Sequence, residues 1–433
     1  MLAAPALSGQ QFAVYGLART GLSVLRFLAR SGATAVAWDE SEAAREKARG
    51  EFPNLPMTDF AELELAGLNG LIVSPGVPLN RHPLAGRARQ AGVPILSDIE
   101  LFQRVRPTLP AHKVAAVTGT NGKSTTTALL HHLLASAGIP ARLGGNIGLP
   151  ILDQPALPAG GVYVLELSSF QIDLVQTLAV DVAVYTNLTP DHLDRYDGMA
   201  GYAASKLRLF QLQQPGAQAV IAVDDEWTRA AADAVPAGVR VTRVSAADVS
   251  VHDQARWPAL QGPHNAQNIA CAATAARILG IGGAAMEAGL ASFPGLPHRM
   301  EIVGTVGGVR YVNDSKATNP TSVAPALQAF ERLHWILGGQ AKTAELDACL
   351  PHLGQVKAAY VIGEAAPVFA EILKPLVPVV EAGTLEVAVA RAAADAAPGD
   401  TVLLSPACAS FDQFRDYEAR GRAFVSLVEG LRS

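Results

Sequence analysis

The stretch Val114-Ala-Ala-Val-Thr-Gly-Thr-Asn-Gly-Lys-Ser-Thr-Thr-Thr127 carries the residue types that hold a nucleotide's phosphates. Gly119 and Gly122, flanking Thr120 and Asn121, let the backbone approach an anion and take positive φ. Lys123 adds a full positive charge, and Ser124 or Thr125 can offer a hydroxyl to a phosphate-bound magnesium ion. The apolar run before Gly119 and the helical pattern from Ala128 to Leu134 predict a strand, a glycine turn and a helix start. Unpaired N–H groups and the helix dipole make that start attractive to negative charge. The spacing is a shorter variant of G-x-x-x-x-G-K-[ST], because Val117 stands where the first glycine belongs. The plain alternative is a capped helix after a strand, with Lys123 in solvent.

Further candidates lie where other strands end. Val162-Tyr-Val-Leu-Glu-Leu-Ser-Ser169 places Glu166 near the end of an apolar strand. A carboxylate there is either a costly buried charge or a cation ligand, and the phosphate loop in the same sheet favours magnesium. A strand over 180–187 empties into Asp191, His192 and Asp194, a cluster suited to metal or phosphate as much as to a structural histidine. Gly144-Gly-Asn-Ile-Gly148 reads as a loop. Asn265 and Asn268 share one face of a long alanine-rich helix running to about Leu279, either as ligand contacts or as a cap and polar first turn.

These residues need α/β sheets to position them. Residues 11–38 read as β-α-β, with Gly16-Leu-Ala-Arg-Thr-Gly21 as the turn and Asp39 after the second strand. Ala18 replaces the middle glycine of a dinucleotide fingerprint, so the pattern supports a Rossmann-like nucleotide edge more than NAD itself. Leu71-Ile-Val-Ser-Pro-Gly-Val-Pro78 is another strand running into a turn. Pro107 to His112 and Phe293 to Arg299 read as linkers. Strands in 334–339, 358–363 and 401–410, each running into a turn and separated by helices, make a third doubly wound unit. The expected fold is α/β in three largely parallel doubly wound domains: an N-terminal Rossmann-like one (1–110), a central phosphate-loop ATPase (111–297) and a C-terminal Rossmann-like one (298–433).

At 433 residues, 49% of them hydrophobic and 17% charged, the chain can build several cores and is not disordered. A net charge of −5 without a basic block argues against nucleic acid as a partner. No run reaches the roughly 18 to 20 apolar residues of a membrane span, and Met1 to Gln10 has no secretory pattern. Three scattered cysteines form neither a disulfide framework nor a zinc site. A cytoplasmic, membrane-free and monomeric protein is expected.

Taken together, T-G-T-N-G-K-S-T, E-L-S-S-F-Q (166–171), T-P-D-H-L-D-R (189–195) and the S-K-L-R around Lys206 resemble the Mur ligases. N-D-S-K-A-T-N (313–319) and S-P-A-C-A-S-F-D-Q-F (405–414) narrow the resemblance to the branch that adds D-glutamate. The resemblance is collinear over nearly the whole chain, and no D-N-P-R segment points to diaminopimelate addition. It implies that ATP phosphorylates the terminal carboxylate of UDP-N-acetylmuramoyl-L-alanine and that D-glutamate attacks the acyl phosphate, in peptidoglycan precursor synthesis. It implies ATP and Mg2+, with Gly119, Thr120, Asn121, Gly122, Lys123, Ser124, Thr125, Asn265, Asn268, Arg299 and Asp314 on ATP. Ser124, Thr125 and Glu166 would hold one magnesium, and His192 and Lys206, the latter as a carbamate, a second. The implied catalytic set is Lys123, Glu166, His192 and Lys206. Asn146 and His192 would face the muramoyl group, while Arg19, Thr20, Asp39 and Gly76 would line the uridine diphosphate site. Lys316, Thr318, Lys342, Ser410 and Phe411 would surround D-glutamate. Gln340, Arg19, Glu40 and Ser41 depart from the family pattern, which touches substrate contacts and leaves the reaction class alone.

Three rivals remain. A folylpolyglutamate synthetase would have no use for the N-terminal nucleotide-sugar domain. A NAD-dependent oxidoreductase built on Gly16 to Asp39 leaves the phosphate loop and Glu166 unexplained. A nucleotide-gated regulator without chemistry is separated from a ligase by ATP turnover with and without the two substrates.

Overall fold

The computed structural model describes every residue except Asp194, Lys342 and Ser433. The chain divides into two compact units, one of residues 1–248 and 267–290, the other of 249–266 and 291–433. Three sheets are distributed between them.

The first sheet has the order β2-β1-β3-β4, all parallel. It is built from β1 (Gln11–Tyr15), α1 (Arg19–Arg30), β2 (Thr34–Trp38), α2 (Glu42–Glu51), β3 (Gly70–Val73), α3 (Leu84–Gln90) and β4 (Ile95–Leu96). The helix α4 (Asp98–Val105) follows, capped by the Ser97 hydroxyl. The two prolines expected in a linker lie after it: Pro107 sits in a short 3-10 turn, and Arg106 ties that turn to Gln103 Oε1 at 2.9 Å and His112 Nε2 at 3.2 Å.

The second sheet has the order β10-β9-β8-β5-β7-β6, again fully parallel. Its elements are β5 (His112–Thr118), α5 (Lys123–Ser136), β6 (Ala141–Gly145), β7 (Gly161–Glu166), α6 (Ser169–Asp173), β8 (Val182–Tyr185), α7 (Gly198–Gln211), β9 (Gln218–Ala222), α8 (Glu226–Asp233) and β10 (Arg240–Val244). The central strands β5, β7 and β8 are apolar runs buried on both faces, as helix-covered parallel strands must be. One apolar cluster runs from Phe12, Phe27 and Ile99 into Val114, Tyr163 and Tyr185, so the first two sheets share a core. Polar ties accompany it. The fully buried Glu100 accepts from the backbone N–H groups of Gln176 and Thr177 and from the Thr177 hydroxyl, at 2.8, 3.1 and 2.8 Å.

The short α9 (Val251–Gln254) lies in the second unit. The helix α10 (Pro263–Ile278) starts in that unit and continues into the first, where α11 (Gly283–Ser292) follows. The third sheet has the order β11-β12-β16-β13-β14-β15. It comprises β11 (Glu301–Val306), β12 (Val309–Asn313), α12 (Pro320–Ala329), β13 (Leu333–Gly338), β14 (Val356–Ile362), α13 (Ala366–Leu373), β15 (Val379–Gly383), α14 (Leu385–Asp395), β16 (Thr401–Leu404) and α15 (Tyr417–Gly430). Only β11 runs antiparallel, as a hairpin with β12. Alternate strand residues sort to its two faces: Trp335, Leu337, Val361 and Leu403 pack with α12 and α13, and Ile336, Tyr360, Ile362 and Leu404 pack with α14 and α15. The third sheet is thus doubly wound.

Candidate active site

The phosphate loop lies at the carboxyl end of β5, flanked in the sheet by β7 and β8. Gly122 is the N-cap of α5 at φ 78° and, as a glycine, supplies no side-chain cap of its own. A Cβ on it would stand 2.1 Å from Asn268 Oδ1, so only glycine fits. A Cβ on Gly119, at φ 145°, would stand 2.0 Å from Thr186 Oγ1. The loop is pinned by the end of β8. Thr120 N donates to Asn187 O at 2.9 Å, Asn121 N donates to Asn187 Oδ1 at 2.8 Å, and Thr186 Oγ1 donates to Asn121 O at 2.7 Å. A partly buried relay supports it, as Asn187 Nδ2 donates to Gln267 Oε1 and Gln267 Nε2 to Asp224 Oδ2, at 2.9 and 2.7 Å. Asn268 is fixed by the Thr126 hydroxyl at 3.2 Å. Lys123 Nζ folds back on Thr120 O at 2.7 Å, while Ser124 is buried and Thr125 half-buried at the head of α5.

Glu166 ends β7, opposite Val117 in the register with β5. It is 2% exposed. Its Oε1 accepts from Asn146 Nδ2 at 2.9 Å, and its Oε2 is buried with no hydrogen-bond partner among the described residues. A buried carboxylate oxygen left over in this way is of the donor type that suits a hard cation. These residues therefore fit magnesium, with the first hydroxyls of α5 as co-ligands. Among the described residues no three His, Cys, Asp or Glu side chains cluster as a metal site, so the donors would be of mixed kind. Asn146, expected to face the muramoyl group, holds Glu166 twice, since its backbone N–H also donates to Glu166 O at 2.9 Å.

Lys206 points from α7 into this site. It is 1% exposed, and its Nζ donates to Gly119 O at 2.7 Å. Burial, and then the charge of Lys123, drive its amine well below the ordinary lysine range, against the pull of Asp191, Asp173 and Glu166. The amine is thus favoured in its neutral form. His192 stands half exposed at φ 52°, with its ring 4.9 Å from that of Phe170 and its Nε2 3.5 Å from Asp191 Oδ2. The third member of that cluster, Asp194, lies outside the described residues.

In the first sheet, Arg19 and Thr20 open α1 on the surface. Asp39 accepts from the backbone N–H groups of Leu17 at 2.6 Å and Ser41 at 2.8 Å, bracing the first glycine turn. Glu40 accepts from the Tyr15 hydroxyl at 2.6 Å. Gly76 is exposed in the loop after β3.

In the second unit, Asn265 is held by Gln261 O at 2.9 Å, and Arg299 lies between His298 and Met300, both in the left-handed region at φ 62° and 46°. Asp314 is buried; the Ser405 hydroxyl and Met300 N–H donate to it at 2.7 and 3.2 Å, and burial still raises its pKa to about 7. Lys316 Nζ sits 3.9 Å above the Tyr417 ring. Thr318 is half-buried, Ser410 buried and Phe411 68% exposed. Lys342 lies outside the described residues. Gln340 and Ala409 exchange backbone hydrogen bonds of 2.9 Å, which sets the loop after β13 beside the one after β16.

Known families cover the chain in three blocks. Residues 10–97 match the Mur ligase MurD-like N-terminal domain, 117–271 the Mur ligase middle domain, and 298–408 the Mur ligase glutamate ligase domain. The UDP-N-acetylmuramoylalanine–D-glutamate ligase of Sphingopyxis alaskensis is 57% identical over the full length of both chains. The chain belongs to the Mur ligase family. The enzyme of the same name from Zymomonas mobilis is 49% identical, also over the whole of both chains. Among solved Mur ligase structures, a UDP-N-acetylmuramate-alanine ligase from Thermotoga maritima shares the fold, with a TM-score of 0.59 at 16% identity over 97% of this chain and 99% of that one.

Some parts of this Mur ligase chain were not legible as site residues. Thr186, Asn187, Gln267 and Asp224 brace the phosphate loop, and the only signal for the first two was their place at the end of the strand beside β5. Arg420 is 1% exposed and donates to Ser315 Oγ at 3.0 Å, Ser315 O at 2.9 Å and Cys408 O at 3.0 Å, joining the Lys316 and Ser410 loops. It stands in a helix of ordinary charged pattern, where nothing marks it as buried.

Proposed function

We propose that this chain is an ATP-dependent ligase joining D-glutamate to UDP-N-acetylmuramoyl-L-alanine through an acyl phosphate, in peptidoglycan precursor synthesis. The observation that carries the chemistry is the buried, half-satisfied Glu166 carboxylate in the strand beside a phosphate loop whose helix opens on a glycine N-cap. The names of full-length relatives at 49 to 57% identity support the substrates.

In this reading the amides at the head of α5 and Lys123 bind the ATP phosphates and stabilise charge on the transferring group. A carboxylate oxygen of the precursor attacks the γ-phosphorus and ADP leaves. The amine of D-glutamate then attacks the acyl carbon, and phosphate departs with that oxygen as the amine loses a proton. Magnesium, bound through Glu166 with Ser124 and Thr125, would neutralise the phosphates. His192 and Lys206 form the second cation position, with Lys206 as a carbamate. Its neutral, buried amine is the form that would add carbon dioxide, with loss of a proton from nitrogen, giving an anionic oxygen donor where a protonated amine would repel a cation. Asn265, Asn268, Arg299 and Asp314 belong to the ATP site. Arg19, Thr20, Asp39 and Gly76 belong to the uridine diphosphate site, and Asn146 and His192 to the muramoyl site. Lys316, Thr318, Lys342, Ser410 and Phe411 belong to the D-glutamate site. We assign the three roles to domains 1–110, 111–297 and 298–433 in that order, in a monomeric cytoplasmic enzyme. No described helix is long and apolar enough to cross a membrane.

Phosphate release measured with each substrate omitted tests the reading. Release is expected only when ATP, the precursor and D-glutamate are all present, and release independent of either co-substrate would overturn it.

A further inference from the structure

Residues 188–196 run between two loops that the proposed function assigns to different ligands. At one end, Thr189 grips the phosphate loop. Its N–H donates to Thr120 Oγ1 at 3.1 Å, its carbonyl accepts from the same hydroxyl at 3.2 Å, and its own Oγ1 accepts from Asn121 Nδ2 at 3.2 Å. Leu188 N, donating to Asp225 Oδ2 at 3.0 Å, anchors that end to the sheet. At the other end, Arg195 grips the loop after β3. Its Nη1 donates to Gly76 O at 3.3 Å and its Nη2 to Val77 O at 2.9 Å, while Asn80 Nδ2 donates to Arg195 O at 3.1 Å. Between the grips, the Arg195 guanidinium lies 4.1 Å from the centre of the Phe170 ring, whose other neighbours are the rings of His192 and Tyr196.

The character of the Arg195 contacts is informative. Among the described residues, the acceptors its guanidinium meets are backbone carbonyls of a glycine-containing loop, so its planar fork fixes the path of that loop. Its stack on Phe170 ties the same guanidinium to α6, four residues after Glu166. One residue thus sets the loop after β3, the His192 ring and the far end of a segment bonded to Thr120 and Asn121.

We propose that Arg195 is a positioning residue that, with Thr189, couples the uridine diphosphate loop to the phosphate loop, so that precursor binding tightens binding of magnesium nucleotide. This rests on the ligase reading. Coupling between two sites is a free energy shared by both ligands, and a contiguous bonded segment is a physical means of carrying it.

The test is calorimetric titration of the intact protein with a non-hydrolysable ATP analogue and magnesium, with and without saturating UDP-N-acetylmuramoyl-L-alanine. In the wild type the precursor is expected to tighten nucleotide binding about tenfold. In Arg195→Met the enhancement falls below about twofold while affinity for the nucleotide alone stays within about twofold, and Arg195→Lys lies between. A glue role with no coupling lowers the melting temperature and leaves the enhancement intact. An unchanged enhancement in Arg195→Met, or none in a wild type that binds both ligands, overturns the proposal. A wild type that binds no precursor overturns the ligase reading, and the coupling with it. If Arg195→Met does not fold, Asn80→Ala, which removes one exposed bond to the Arg195 carbonyl, must lower the enhancement, and full enhancement there overturns the proposal equally.

Discussion

Replacing Lys206 separates a carbamate from a plain lysine. The amine is buried, donates to Gly119 O at 2.7 Å and lies 4.7 Å from the centre of the Tyr202 ring, in the surroundings of Lys123 and Glu166. A protonated amine about 4 Å from a cation is repelled by roughly 4 kcal/mol per unit charge at an effective dielectric of 20, about three decades in an equilibrium constant. A carbamate reverses that sign. Lys206→Ala should therefore lose about 10³-fold in turnover, and short-chain carboxylates should restore part of it by supplying oxygens to the emptied position. The variant also leaves Gly119 O without its donor, which costs about 1–3 kcal/mol of stability, so folding is checked by circular dichroism and a thermal melt. Lys206→Arg should be inactive and not rescued, because a guanidinium stays positive. The assay is phosphate release with both co-substrates, in air-equilibrated buffer and in buffer stripped of carbon dioxide. Full activity of Lys206→Arg, or wild-type activity indifferent to carbon dioxide on prolonged depletion, would refute the carbamate.

Other outcomes follow from the same geometry. Lys123→Ala should abolish ATP-dependent ligation with little change in the melt, because its ammonium is half-buried and folds back on the Thr120 carbonyl of its own loop rather than packing in a core; near-wild-type turnover would remove the phosphate-loop assignment. The enzyme should select D-glutamate over L-glutamate and D-aspartate, because the proposed amino-acid site carries two cations, Lys316 and Lys342, suited to a diacid, and competition assays without preference would contradict this. Asp314, with its pKa raised to about 7 by burial, binds a proton in the folded protein that the unfolded chain has released, so unliganded stability falls as pH rises from about 4 to about 7. The total is roughly 4 kcal/mol for a shift of about three units. Asp314→Asn keeps an acceptor for Met300 N–H and lets the Ser405 hydroxyl turn to accept; denaturation midpoints should lose that part of the pH dependence, and an identical profile in variant and wild type would count against the buried acid.

The fold was legible where strands are apolar runs that end in glycine or proline turns, as at Val114 to Gly119 and Leu71 to Gly76. It was not legible where local pattern and final structure diverge. Ala141–Gly145 forms β6 although it ends in two glycines, because its ladder with β7 supplies what its side chains do not. Arg240–Val244 forms β10 with an exposed face at the sheet edge, where alternation is the only signal. Gly119, Gly122, Lys123 and Glu166 were legible because their chemistry is unusual for a strand end. The second role of Asn146 was not, since its hold on Glu166 depends on β6 and β7 being neighbours in the sheet. Likewise the Glu100 anchor and the Arg195 fork join residues more than seventy positions apart, and no local spacing encodes such pairs.

The most direct measurement follows an oxygen atom. UDP-N-acetylmuramoyl-L-alanine labelled with 18O in both oxygens of its terminal carboxylate is turned over with ATP, magnesium and D-glutamate, and the released phosphate is analysed by mass. Activation as an acyl phosphate sends one labelled oxygen into each phosphate released and leaves the other in the new amide. Phosphate that carries no label while ADP accumulates would mean that water, and not the precursor's carboxylate, receives the phosphoryl group, and the ligase mechanism argued from Glu166, Lys123 and the phosphate loop would be wrong.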